Sequence, residues 1–354
     1  MKNALRKFLK MTQPLWLALW MLAVGCGSAL GADSSALSLW TPEQLAEPRG
    51  AAAIKAERAI RQLPAADLTH PAEVAGGERE LPPLAPERRG IIRRVALPEG
   101  DRRVALSFDL CERAVHVTGY DAALVDALRG FDHGRGARAT FFAGGKWLRS
   151  HPERAMQLMA DPRFELGHHG WTHANMLVAT PEERQRQVRW TAAQFAALNA
   201  ELSRRLAARG LPPAAPAPAP LFRLPYGRGA AETAAWLAGQ GLAVIQWDVV
   251  GEGFGGSAQE RARAIAEAAR PGSIVLLHAN CVPRDTAQVV RLLLPLLAQK
   301  GLRTATVSEL LASGRPETVG GGYFSHPGDN AQYDTLFEGH GTLGRVGGSK
   351  AKRR

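Results

Sequence analysis

The chain has 354 residues, of which 45% are hydrophobic and 22% charged, a globular balance that excludes a wholly disordered chain and a multi-span membrane protein. That length allows about two domains at roughly 150 residues each. The net charge of +11 falls to +3 once Lys2, Arg6, Lys7, Lys10, Lys350, Lys352, Arg353 and Arg354 are set aside. The basic excess therefore lies at the termini and not along one folded face, and no nucleic-acid partner is expected.

Residues 1–32 read as a signal peptide: a basic start, an apolar run through Leu15, Trp16, Leu17, Ala18, Leu19, Trp20 and Met21, then small residues. The run is short of the roughly 20 residues that a membrane span needs, so the mature protein is expected to be periplasmic or secreted, with no stable transmembrane span. An uncleaved anchor is the alternative. Cleavage is expected near Ala29-Leu30-Gly31-Ala32, and Ala23-Val24-Gly25-Cys26 is a poorer lipoprotein box. Either leaves Cys111 and Cys281 in the folded part, too few for a disulfide framework but enough for one bridge in an oxidising compartment.

Residues 33–96 are rich in Ala, Pro, Arg and Glu, with an amphipathic stretch near Leu45 to Leu63 and a Pro-rich run from Leu81 to Pro86; they read as a loosely packed leader and linker. The body spans 97–314, interrupted by an extended surface connection at Pro212, Pro213, Pro216, Pro218 and Pro220. Residues 315–354, Gly-rich and ending in the basic cluster, read as a disordered tail.

Within the body, Val104 to Phe108, Ala139 to Ala143, Phe164 to Leu166, Leu242 to Trp247 and Ile274 to Leu277 are apolar runs of buried-strand type. Helices are expected between them. Ser150 with Glu153, Thr180 with Glu183, and Ser257 with Glu260 form capping-box patterns. Pro181 suits a first helical turn, and Gly210 and Gly301 suit helix ends. Alternating strand and helix implies parallel strands joined by right-handed crossovers, an open sheet or a closed barrel, with chemistry at the strand C-terminal ends.

Polar clusters follow those strands in order: Asp109-Leu110-Cys111-Glu112, then Gly167 to His173, then Arg223-Leu224-Pro225-Tyr226-Gly227, then Trp247-Asp248, then His278. His169 and His173 have metal-ligand spacing, and neutral imidazoles suit zinc, cobalt or nickel better than calcium or magnesium. Singly, each residue has a plainer reading: a helix cap for Asp109, a surface turn for Arg223, a core histidine for His278, a structural pair for the two imidazoles. Their common order along one rim is what points to a site.

In that order the sequence resembles the polysaccharide deacetylases, the NodB-homology group of carbohydrate esterase family 4, over roughly residues 100–312. The matching motifs are Ser107-Phe108-Asp109-Leu110, His169 to His173, Arg223 to Gly227, Trp247-Asp248-Val249 and Leu276 to His278. Ser-Phe-Asp-Leu-Cys-Glu also resembles a subgroup that lacks the usual second aspartate. The resemblance implies a distorted seven-stranded (β/α) barrel, with Asp109 as general base, His169 and His173 as metal ligands and His278 as general acid. It further implies that Arg223 holds the base, that the Tyr226 amide helps bind the oxyanion, and that Asp248 orients the catalytic histidine. That last match is loose, because Gly253-Phe254 stands where an Asp and a Trp are usual.

Leu110 occupies the position of the usual carboxylate ligand and cannot coordinate. Glu112 is the favoured substitute and Asp121 the next; Asp109 itself, a Cys111 thiolate and a metal-free site are the other readings. The implied activity is removal of N-acetyl groups from an acetylated glycan through a water activated by a divalent transition metal, zinc first. The alternatives are an O-acetyl esterase on an acetylated polysaccharide and a non-catalytic carbohydrate-binding protein. Trp171, Tyr226 and Trp247 are candidate sugar-stacking residues. A Cys111–Cys281 disulfide bracing two rim loops is a further expectation.

Overall fold

The computed structural model describes residues 35–62, 81–214 and 217–336, so the expected signal peptide lies outside the described residues. Among the described residues there are twelve strands: β1 (Arg61–Gln62), β2 (Ile91–Ala96), β3 (Arg103–Leu110), β4 (His116–Val117), β5 (Ala139–Ala143), β6 (Phe164–His168), β7 (Leu221–Phe222), β8 (Ala243–Ile245), β9 (Val249–Val250), β10 (Ile274–His278), β11 (Arg303–Ala305) and β12 (Arg315–Val319). Strands β1 and β4 form a separate antiparallel pair. The main sheet has the order β12-β2-β8-β7-β6-β5-β3-β10-β9, with β11 beside β3. Every pairing in it is parallel except β12 on β2.

Closure follows from the chain itself. Strands β8 and β9 belong to one segment, 243–250, which pairs with β7 and β2 at its start and with β10 at its end. The amides of Gln246 and Asp248 between them bond the Ile92 and Ile274 carbonyls. Counted once, that segment joins β2, β3, β5, β6, β7 and β10 in a seven-membered, distorted (β/α) barrel. At the seam Arg94 bridges Ser273 in the antiparallel sense. Gly272 there has φ +82° and brings its Cα so near the Val95 carbonyl that a Cβ would meet it at 1.7 Å, so only glycine fits.

Strand β3 shows how the sequence sorts its faces. Side chains alternate along a strand, and Val104, Leu106, Phe108 and Leu110 join the core between sheet and helices. Ala105 joins the core inside the barrel, which sends Ser107 and Asp109 inward as well.

The helices are α1 (Pro42–Leu45), α2 (Ala51–Glu57), α3 (Ala122–Gly130), α4 (Gly145–Ser150), α5 (Pro152–Met159), α6 (Pro181–Ala208), α7 (Ala231–Gly239), α8 (Ala258–Ala268), α9 (Thr286–Gln299), α10 (Val307–Ser313) and α11 (Tyr333–Leu336). The Ser257–Glu260 capping box forms in full. Thr180 caps the Glu183 amide, while the Glu183 carboxylate turns to Arg186 and Gln187. The Ser150–Glu153 box does not form. Pro152 starts α5 one residue later than that pattern requires, and the Glu153 carboxylate is taken by Trp40 and Arg205. A box not read from the sequence, Thr306 with Glu309, opens α10.

Residues 35–62 are attached to the barrel. Ala36, Leu37 and Trp40 are buried in the outer core, Arg58 reaches Asp121 at 2.8 Å, and Arg154 pairs with Glu57. Of the expected amphipathic stretch from Leu45 to Leu63, Ala51–Glu57 forms α2, and Pro48 and Gly50 separate it from α1, which ends at Leu45. Of the expected tail, residues 315–336 are also built into the fold: β12 extends the sheet, and the segment after it crosses the C-terminal end of the barrel. Residues 337–354 lie outside the described residues.

Candidate active site

Asp109, at the end of β3, is buried and points into the barrel mouth, where Arg223 meets it after β7. One guanidinium nitrogen donates to Asp109 Oδ1 at 3.0 Å and another to Ser107 Oγ at 2.8 Å; further bonds go to the carbonyls of Ile245 and Gln246. The Phe142 ring lies 4.0 Å below the guanidinium and the Trp247 ring at 5.4 Å. Burial lowers the Arg223 pKa and the Asp109 charge raises it; a guanidinium keeps its proton in such a setting. The pair fixes one carboxylate oxygen and leaves the other, Oδ2, facing His169 at 3.5 Å.

His169 follows β6. Its Nδ1 lies 2.9 Å from the Arg223 carbonyl, a contact that requires the proton on Nδ1 and so leaves a lone pair on Nε2. That Nε2 is buried and has no hydrogen-bond partner among the described residues. His173 stands 4.8 Å away, ring centre to ring centre, and its Nδ1 is likewise buried without a partner. Burial pulls both imidazoles below their ordinary pKa, His173 well below it. The Gln187 side chain from α6 accepts the amides of Trp171 and Thr172 and so holds this loop.

Among the described residues, three of the five non-glycine positions with positive φ are on this rim: His173 (+57°), Tyr226 (+59°) and Cys281 (+65°). Such strain persists only where the surroundings over-determine the backbone, and it gathers at functional sites. The Tyr226 ring lies edge-on to His173 at 4.3 Å and stacks on Tyr333 at 4.8 Å.

His278 ends β10, in register with Asp109. Glu252 accepts its backbone amide at 2.8 Å and faces its Nδ1 at 2.5 Å. Burial alone would lower the His278 pKa, but the charge and hydrogen bond of Glu252, aided by Asp109, push it up to about 9. The imidazolium is thus the resting form at neutral pH.

Several expected roles fall to other residues. Asp248 does not orient His278: its carboxylate accepts the Ile274 amide and the Ser273 hydroxyl, both at 2.8 Å, and fastens the barrel seam. Glu252 has the place expected for Asp248, and it was legible as the only carboxylate between Val249 and Gln259. Glu112 is not beside the imidazoles. It turns outward with Leu110 and is held by Ser150 Oγ at 2.8 Å, the Thr118 amide at 3.0 Å and Lys146 Nζ at 3.9 Å, where burial pushes it up to about 7. Asp121 caps α3 and pairs with Arg58.

Trp171 and Trp247, 4% and 1% exposed, offer no surface for a sugar. Trp171 packs on Gly145, and Trp247 bonds the Phe324 carbonyl at 2.9 Å. Tyr226 alone of the three candidate stacking residues faces the imidazoles. Cys111 and Cys281 are both free thiols, so the expected disulfide is absent.

A metal ion suits the donors present. Ligand atoms of Cys111, His169 and His173 all lie within 4.8 Å of one another, and the two unpartnered imidazole nitrogens are costly to bury unless something binds them. Burial, then the charges of Asp109, Glu252 and Glu112, raise the Cys111 pKa and keep the thiol protonated when no ion is held there.

Residues 96–245 match the family described as polysaccharide deacetylase. Over those residues the chain is similar to a polysaccharide deacetylase domain. A chitooligosaccharide deacetylase of Rhizobium leguminosarum bv. phaseoli is 26% identical over 151 residues, 42% of this chain and 59% of that protein. The match thus spans about three fifths of that relative's length. Its counterpart in R. leguminosarum bv. trifolii is 26% identical over 230 residues, 64% of this chain and 92% of that protein. Among solved structures, a family 4 carbohydrate esterase from Streptomyces lividans has a TM-score of 0.46 at 23% identity, covering 63% of this chain and 99% of its own.

Proposed function

We propose that this domain is a metal-dependent hydrolase that removes N-acetyl groups from an N-acetylated glycan, and that the chain itself is exported to the periplasm or beyond. The observation that carries the reading is the buried Asp109–Arg223 pair set beside His169, with the His278–Glu252 pair on the adjoining strand. The substrate class follows from the domain family and from the names of the curated relatives, which are chitooligosaccharide deacetylases.

A divalent transition metal ion, zinc by the imidazole donors, supplies when bound a polarised acetyl carbonyl and a water of lowered pKa. The chain's own groups do the proton work. Asp109, aimed by the Arg223 hydrogen bond to its Oδ1, takes the proton of the attacking water through Oδ2. His278 enters the reaction as imidazolium and gives its proton to the departing sugar nitrogen, a step that typically contributes roughly 10²- to 10⁴-fold. Glu252 keeps that imidazolium charged and oriented.

The test is acetate release from a panel of N-acetylated and O-acetylated glycans, with and without zinc. Release from N-acetylated glycans that is lost in Asp109→Asn supports the reading. Release confined to esters redirects it to an O-acetyl esterase, and binding without release under any metal redirects it to a non-catalytic glycan binder.

A further inference from the structure

We infer that the third protein ligand of this metal site is the sulfur of Cys111, so that the domain holds a borderline-soft ion such as zinc or cobalt(II) through a cysteine and two histidines, with Asn280 tuning the sulfur. The inference rests on the reading above only in taking this site to bind a metal.

Strand parity carries the argument. Residues 105, 107 and 109 of β3 face the barrel interior, while 104, 106, 108 and 110 face the helices. Position 111 continues the inward series and position 112 the outward one. Cys111 therefore arrives beside His169 and His173, whereas Glu112 is carried away to Ser150 on α4. Asp109, the other inward side chain, already accepts Arg223.

The sulfur is also supported from behind. The buried Asn280 side chain donates to Cys111 Sγ at 3.3 Å and to the Cys111 carbonyl at 3.0 Å, the kind of outer partner that orients a ligand and moderates its donation. One sulfur and two imidazole donors match zinc and cobalt and disfavour magnesium and calcium, which take oxygen. Binding replaces the S–H bond by a sulfur–metal bond and releases the proton to solvent.

Cobalt(II) added to the chelated full-length protein tests this by absorption. The expected result is a near-ultraviolet thiolate-to-cobalt charge-transfer band that saturates at one equivalent. The band is absent in Cys111→Ser and also in Cys111→Asp, which still takes up cobalt because a carboxylate also coordinates. Asn280→Ala keeps the band but binds about 10- to 100-fold more weakly. Without any substitution, zinc should protect Cys111 from iodoacetamide when alkylation is mapped by peptide, whereas magnesium should not.

Cobalt bound with no near-ultraviolet band in the parent protein, or a band that survives Cys111→Ser, overturns the inference and leaves the deacetylase reading in place. Failure of the parent to bind either ion overturns both the inference and the metal dependence. Acetate release by metal-free protein would then show that the hydrolase reading survives alone.

Discussion

Replacing Glu252 by Gln removes one charge from the site and keeps the size and shape of the side chain. Three influences act on His278 besides the charge and hydrogen bond of Glu252: burial, which lowers its pKa, Asp109, which raises it, and Arg223, which lowers it. Without the Glu252 carboxylate, burial governs and His278 should fall below the ordinary 6.5. The difference between about 9 and 6.5 is worth about 3 kcal/mol in favour of the imidazolium. At pH 8 a group titrating at about 9 is about 90% protonated, and one titrating at 6.5 about 3%.

If His278 is the proton donor, the alkaline limb of kcat/KM should lie near 9 in the parent protein and move down by at least about two pH units in Glu252→Gln, with a loss of at least about 30-fold at pH 8. The assay is initial-rate acetate release between pH 5 and 10, with folding checked at each pH. The sign for stability follows from the same shift. A histidine raised in the folded state contributes stability that is complete below about 6.5 and is lost as pH rises through about 9, so Glu252→Gln should lower Tm most at the acid end of that window. Asp248→Asn is the control. It touches the seam and not His278, so it should lower Tm and leave the limb where it is. A limb that stays near 9 in Glu252→Gln, or moves in Asp248→Asn, refutes the assignment.

Glu112→Gln should leave metal stoichiometry by elemental analysis at the parent value, because the carboxylate is bound to Ser150 and Thr118 and is no ligand. Trp40→Ala should cost about 3–5 kcal/mol in urea unfolding, as a buried large-to-small change does; a cost under about 1 kcal/mol would mean that residues 35–62 do not share the core. Asp334→Ala removes the partner that Arg228 holds at 2.8 Å through Nε and one acceptor of Asn175. These contacts tie residues 330–334 to the loops carrying Tyr226 and His173, so KM should rise several-fold with kcat nearly unchanged if the loops are loosened only toward substrate. An unchanged KM refutes that link.

The barrel strands were legible because they are buried on both faces and therefore read as unbroken apolar runs: Ala139 to Ala143 was bounded correctly, β3 extends beyond the expected limits by Arg103 at its start and by Asp109 and Leu110 at its end, β6 by Gly167 and His168, and β10 by His278. The reactive clusters at those ends were legible for the same reason, since a polar residue just past a buried strand has few places to go. Composition failed where a few side chains outweigh the average. Trp40 and Leu37 anchor a segment that otherwise reads as solvent-facing, and Tyr323, Phe324 and Tyr333 follow the triple glycine at 320–322 yet cover the barrel's C-terminal end through Arg93, Trp247 and Tyr226.

The errors at the site have one further cause, which is that spacing in sequence was used where direction decides. Glu112 is one residue from Cys111 and faces the opposite way; Asp248 is four from Glu252 and is spent on the seam before it can reach His278. For Glu112 the needed information was present, because counting by twos from the inward Ala105 reaches Cys111 and skips both Leu110 and Glu112. For Glu252 the sequence offered only that it is the one carboxylate between Val249 and Gln259; its reach to His278 is set by the pairing of β9 with β10, a contact between residues 26 apart. A missing carboxylate at position 110 therefore does not by itself mean a missing ligand: the strand that lost one donor to the core presents another, of different chemistry, on the face that meets the imidazoles.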